Sequence, residues 1–189
     1  MIKLYFSTGI SLFFLLFSSV ETKAQGFIAV DDIPHDISYF RVSKITPPLV
    51  KVIYGRPQKK DSSVFGNIVP FNKLWRTGAN EATEVKFYKD VQFGTSKVEA
   101  GTYVLVTIPG EDSWEVILNS QTDVWGSFQY NANFNIAKIS VPVSNAEVLE
   151  TFSIAFNENN NKVHMVLGWD STRINIPLQF EKKPVVVSK

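Results

Sequence analysis

The sequence predicts an all-β protein, an antiparallel β-sandwich that is jelly-roll-like or a flattened barrel, with roughly eight to ten strands. Three observations carry this expectation. Apolar and polar residues alternate with a period of two through most of residues 49–181. No stretch carries an apolar stripe at helical spacing. Clusters of Gly, Pro, Asn and Asp interrupt the alternation at short intervals, as turns between antiparallel strands require.

Residues 25–48 read as an N-terminal arm. Asp31-Asp32-Ile33-Pro34 and Thr46-Pro47-Pro48 break it, and because proline has no amide to give a central ladder, residues 36–44 suit a sheet edge. The run Leu49-Val50-Lys51-Val52-Ile53-Tyr54 is the first strong strand, stopped by Gly55-Arg56-Pro57. Residues 58–73 make a connection longer than about 12 residues, a length associated with function or motion. Its Phe65, Ile68, Val69 and Phe71 place it against the body of the protein.

Residues 81–87 alternate as a strand, and residues 91–93 return. Val104, Val106 and Ile108 share one face, as do Trp114, Val116 and Leu118, and the turn Pro109-Gly110-Glu111-Asp112 joins the two strands into a hairpin. Residues 121–133 form a polar–aromatic loop containing Asp123, Trp125, Phe128 and Tyr130. Strands are expected at 136–143, 150–156, 163–169 and 173–180, with Asn157 to Asn161 as a turn between the middle two. Trp169-Asp170 and Arg173 read as a strand–turn–strand corner held by an ion pair. Residues 49–181 are therefore a single domain, and residues 182–189 a flexible tail.

Charge excludes some partners. Nineteen Lys and Arg nearly cancel eighteen Asp and Glu in the 189 residues, so no whole-molecule field draws nucleic acid. There is no cysteine, which removes disulfides, thiolate ligands and a cysteine nucleophile. Fifteen Phe, six Tyr and four Trp supply large buried areas for a core that has no crosslinks.

The first residues read as a leader. Lys3 precedes an apolar run over residues 10–20, and Thr22-Lys23-Ala24 ends in small residues where a signal peptidase cuts. Residues 1–24 are expected to be a signal peptide, cleaved after Ala24, which places the protein in the periplasm or outside the cell. The run is shorter than the roughly 20 residues that span a bilayer, so no membrane span is expected after cleavage.

The densest chemistry lies in Leu74-Trp75-Arg76-Thr77-Gly78-Ala79-Asn80-Glu81-Ala82-Thr83-Glu84. Trp75 offers a stacking face, Asn80 and Glu81 bind hydroxyls, and Arg76 pairs with a carboxylate or phosphate. Arg56 ends the preceding strand and Trp125 lies in the aromatic loop, so both are candidate neighbours. The six candidates Arg56, Trp75, Arg76, Asn80, Glu81 and Trp125 are expected to share one concave surface. The competing reading is a structural corner, with Gly78 making the turn and Arg76 paired to Glu81 or Glu84. Glu81 and Glu84 stand three residues apart and would face opposite sides of an extended strand, so they are not expected to act as a pair. An enzymatic Glu81 would need a second carboxylate such as Asp123 or Asp170. No metal or cofactor is expected: the two histidines, His35 and His164, lie far apart in the chain.

Tyr54-Gly55-Arg56-Pro57, Phe65-Gly66, Val69-Pro70, the string from Trp75 to Thr83, Ala100-Gly101-Thr102-Tyr103 and Trp125-Gly126 together resemble the domain of unknown function 2911 family. The resemblance runs from about Val50 to about Ile176. It implies an exported protein of Bacteroidetes-type bacteria, and it carries no catalytic residue over. The function expected is non-enzymatic binding of a small polar ligand, a glycan or an envelope protein partner. The alternative is a hydrolase acting on envelope sugars or peptides, with Glu81 as acid or base.

Overall fold

Nine antiparallel strands make up the sheet of the computed structural model, which describes residues 31–159 and 162–180 together with Gly26 and Ala29. The expected signal peptide and tail lie outside the described residues. All nine strands fall within one compact unit, Asp31–Lys189.

The strands are β1 (His35–Phe40), β2 (Val50–Gly55), β3 (Thr83–Phe87), β4 (Val91–Phe93), β5 (Ser96–Val98), β6 (Gly101–Ile108), β7 (Ser113–Asn119), β8 (Asn135–Asn159) and β9 (Lys162–Phe180). Their hydrogen-bonded order is β1-β2-β3-β6-β7-β8-β9-β4-β5. The arm thus contributes β1 at one edge, as its prolines suggest, and β6–β7 is the expected hairpin.

Two long strands turn this open sheet into a sandwich. β8 pairs with β7 from Asn135 to Pro142 and with β9 from Val143 onward, so it runs through both layers. The sheet then faces itself. Tyr54 of β2 meets Phe152 of β8 with ring centres 5.7 Å apart, and Phe87 of β3 lies 6.5 Å from Phe180 of β9.

Alternation explains which side chains enter the interior. Val50, Val52 and Tyr54 of β2, and Val85 and Phe87 of β3, are buried at every second position. At the centre Trp75 stacks on Trp169 at 6.1 Å and meets Phe152 edge-on at 5.0 Å, while Phe65 meets Trp114 at 4.7 Å. Such aromatic pairs add about 0.5–1.5 kcal/mol each beyond the area they bury. Phe65, with buried Val64 and Val69, ties the 58–73 connection to the body. A second cluster of Ala82, Val104, Val106 and Ile117 sits on the outer face, covered by Leu74, Val124 and Tyr130.

Three expectations are corrected. The four C-terminal strands are two, because residues expected to turn bulge within the ladder. Asn145 pairs with Thr172 and Ser153 with Gly168, so β8 passes more residues than β9 over the same span. The Asp170–Arg173 ion pair is absent: Arg173 donates to the backbone carbonyls of Asp170, Thr172 and Glu147, and the Asp170 carboxylate pairs with Lys59 at 3.3 Å. The third correction is that the strand expected from residue 81 begins at Thr83.

Tyr54 links the layers by accepting the amide of Ile154 on its hydroxyl at 3.0 Å. Burial is the main reason that its phenol titrates above the ordinary value of 10.0. A raised folded-state pKa means that this stability is present below the unfolded value and lost as pH rises through the folded one. Unfolding free energy should therefore fall as pH climbs past about 10, and Tyr54→Phe should flatten that limb. The same variant leaves the Ile154 amide without its acceptor, at a cost of about 1–3 kcal/mol near neutral pH. Denaturant titrations of both proteins across this range test the sign: an alkaline limb equally steep in Tyr54→Phe would remove Tyr54 as its cause.

Candidate functional site

The corner at residues 75–83 is held from several directions. Trp75 exchanges backbone hydrogen bonds with Thr107, at 2.7 and 3.0 Å. Its indole donates to the Gly78 carbonyl at 3.1 Å. Thr77 is fully buried with φ of 59°, a left-handed conformation that β-branched residues rarely adopt. Its hydroxyl bonds the Trp75 carbonyl and the Thr107 hydroxyl, and its carbonyl accepts from the Thr83 hydroxyl at 2.6 Å. These bonds offset a strain of order 1–3 kcal/mol. Asn80 is also left-handed, at 61°, which turns the chain before β3 begins.

The start of the arm crosses this corner. Asn80 donates to the Asp31 carboxylate at 2.7 Å, and His35 Nε2 lies 3.0 Å from Glu81 Oε2. Two cavities open beside the crossing. The first, about 520 Å³, is lined by Glu81, Glu84, Asp123, Trp125 and His35, together with Ile53. The second, about 620 Å³, is lined by Trp75, Arg76, Trp169, Lys59 and Lys60, with Asp32 and Ile33 from the arm.

The six candidates are divided between these places. Glu81 and Trp125 line the first cavity; Trp75 and Arg76 line the second. Asn80 is the arm's anchor. Arg56 joins the layers, donating to the Asp36 carboxylate at 2.9 Å, the Phe152 carbonyl at 3.2 Å and the Ser153 hydroxyl at 3.0 Å. Arg76 pairs with neither Glu81 nor Glu84, whereas Glu81 pairs with His35.

Strand parity predicts opposite faces for Glu81 and Glu84, yet both line the first cavity. The parity rule fails because Glu81 lies ahead of the strand, which begins only at Thr83. His35 and Asp123 complete the wall; the sequence offers Asp123 as one possible second carboxylate beside Glu81, and offers nothing that would bring His35 here. Asp123 is itself left-handed, with φ of 58°, and its amide reaches Glu84 at 3.4 Å. Trp125 is 57% exposed, so its indole stands free to meet a ligand while Val124 and Tyr130 seal the loop. Among the described residues no group of three His, Cys, Asp or Glu is arranged to hold a metal ion. No helix of the described residues is long and apolar enough to cross a membrane.

The fold and these cavities define an all-β sandwich with an acidic, aromatic-walled groove. Residues 40–178 match the family described as protein of unknown function (DUF2911), and the chain belongs to that family. No curated protein matches the sequence. No solved structure matches it either.

Proposed function

We propose that the protein is an exported, non-enzymatic binding module that holds a glycan or another small polar ligand in the first cavity. The observation that carries this reading is a half-exposed Trp125 beside the carboxylates of Glu81, Glu84 and Asp123. An indole stacks on the apolar face of a sugar ring, and carboxylates accept from its hydroxyls or from an amine. Among the described residues that line the cavity, His35 is the one basic side chain and it is already engaged with Glu81, so the wall disfavours anionic ligands. The apolar run at 10–20 and the small residues ending at Ala24 support export to the periplasm or beyond.

A glycan and metabolite panel read by melting temperature tests the proposal. A neutral or amine-bearing sugar should raise it, and Trp125→Ala and Glu84→Gln should each weaken binding by about tenfold, or 1.4 kcal/mol. No shift across the panel would turn the reading to a protein partner.

The second reading, a hydrolase, draws support from Glu81 and Asp123 lining one cavity. Against it, the Glu81 side chain is 55% exposed, whereas a general acid is kept protonated by apolar surroundings. Turnover of an envelope sugar, lost in Glu81→Gln, would favour it over simple binding.

A further inference from the structure

We propose that one end of the sheet is a docking surface for the headgroup region of an anionic lipid bilayer. It is the end where β1 passes into β2 and β3 leaves the sheet, with Phe40, Val50 and Phe87 as its last paired row. Between β1 and β2 the chain makes a braced turn. Thr46 gives its amide to the Ser43 carbonyl at 3.2 Å and its hydroxyl to the same oxygen at 3.0 Å, while that hydroxyl accepts the Ser43 amide at 3.1 Å. Arg41 donates to the Thr46 carbonyl at 2.7 Å. Lys44 and Ile45 are the middle residues of this turn. Ile45 is thereby held out at 95% exposure, with Val42 beside it at 73%. An isoleucine fixed in that position gains by entering an apolar phase, and the hydrogen bonds of the turn place no demand on its side chain.

The sheet face behind the turn is cationic. Lys51 and Lys86 are direct cross-strand partners of β2 and β3, on the outer side because Val50, Val52, Val85 and Phe87 fill the inner one. Like charges so opposed destabilise a sheet, and an anion laid across them removes the repulsion. Neither ammonium, nor that of Lys44 or Lys89, has an ion-pair partner among the described residues. Lys86 lies over the exposed Tyr88 ring at 5.1 Å, and Arg41 over the exposed Tyr39 ring at 4.7 Å. A ring attracts a cation but does not cancel its charge. Of the acids near this end, Asp90 is held by Lys97 at 3.7 Å, Glu84 stands a row further in, and Glu99 lies in the β5–β6 connection.

Charge and apolar reach together select a bilayer. The cations attract phosphate headgroups, Val42 and Ile45 enter the acyl boundary beneath them, and tyrosines favour the zone between the two. A soluble anion would use the lysines and leave Val42 and Ile45 in water. The whole chain carries a net charge of only +1, so the attraction belongs to this end of the molecule. Docking of this kind needs no spanning segment, and it is independent of the ligand in the first cavity.

Co-sedimentation with vesicles of phosphatidylcholine mixed with phosphatidylglycerol tests this, with pure phosphatidylcholine vesicles and soluble polygalacturonate as controls. The apolar run at residues 10–20 would itself enter lipid, so the chain tested begins at Gln25 and keeps every strand. It should partition onto the mixed vesicles at least about tenfold more strongly than onto the neutral ones, and lose that preference in roughly 1 M salt. Lys86→Gln should weaken partitioning by about fivefold and Ile45→Ser by about tenfold. Both side chains are exposed, so neither variant disturbs the fold. Equal partitioning onto both vesicles, unchanged partitioning in either variant, or binding to polygalacturonate without retention on vesicles would overturn the assignment.

Discussion

Trp75→Ala is expected to lower the melting temperature by roughly 6–20 °C, the largest effect of any single side chain in the corner. Trp75 is only 9% exposed and touches Phe65, Trp114, Phe152 and Trp169, which come from the 58–73 connection, β7, β8 and β9. Removing it leaves a cavity bordered by all four, and such a void costs about 3–5 kcal/mol. It also frees the Gly78 carbonyl from its indole donor. Thermal unfolding followed by circular dichroism measures the loss. A change of only a degree or two would mean that the aromatic cluster is not the centre of the core.

Gly55→Ala should come close in effect, by a different route. A β-carbon at Gly55 would stand 2.2 Å from the Ala79 carbonyl oxygen and 2.9 Å from its carbon. Both are backbone atoms, and the corner they belong to is tied to Thr107 and Thr83, so neither side can yield cheaply. Overpacking of this kind costs about 3 kcal/mol. The end of β2 and the corner would move apart, and the arm that bridges them would lose its register with Asn80. The variant should therefore lose near-ultraviolet tryptophan signal as well as thermal stability. An unchanged near-ultraviolet spectrum would show that the corner accommodates the extra methyl.

The alternating strands were legible because burial on one face writes itself into every second residue. β2 and β3 carry that pattern, while β6 and β7 are buried on both faces over four consecutive residues each; all four strands are nevertheless found where the sequence places them, to within two residues. The continuity of β8 and β9 was not legible: Asn145, Asp170 and Ser171 look like turn residues, and nothing local separates a turn from a bulge that stays in the ladder. The acidic wall was half legible. Glu81 and Trp125 stood out by composition, but the inclusion of Glu84 depends on the strand beginning at Thr83 and not at Glu81, a boundary that no spacing rule reports. His35 enters through the pairing of β1 with β2, a long-range event. Arg56 and Asn80 looked like ligand groups because the same polar atoms serve equally well to tie one chain segment to another.

The passage of β8 through both layers bears on how the molecule comes apart. Two sheets built from separate strands can part at their interface and each keep its own hydrogen bonds. Here Pro142 and Val143, neighbours on one strand, belong to different ladders, and the rows on either side are continuous with each other. Loosening one ladder pulls on the backbone that holds the next, so no half of the sandwich is a folding unit by itself. A ligand held in the first cavity would therefore stabilise both layers together.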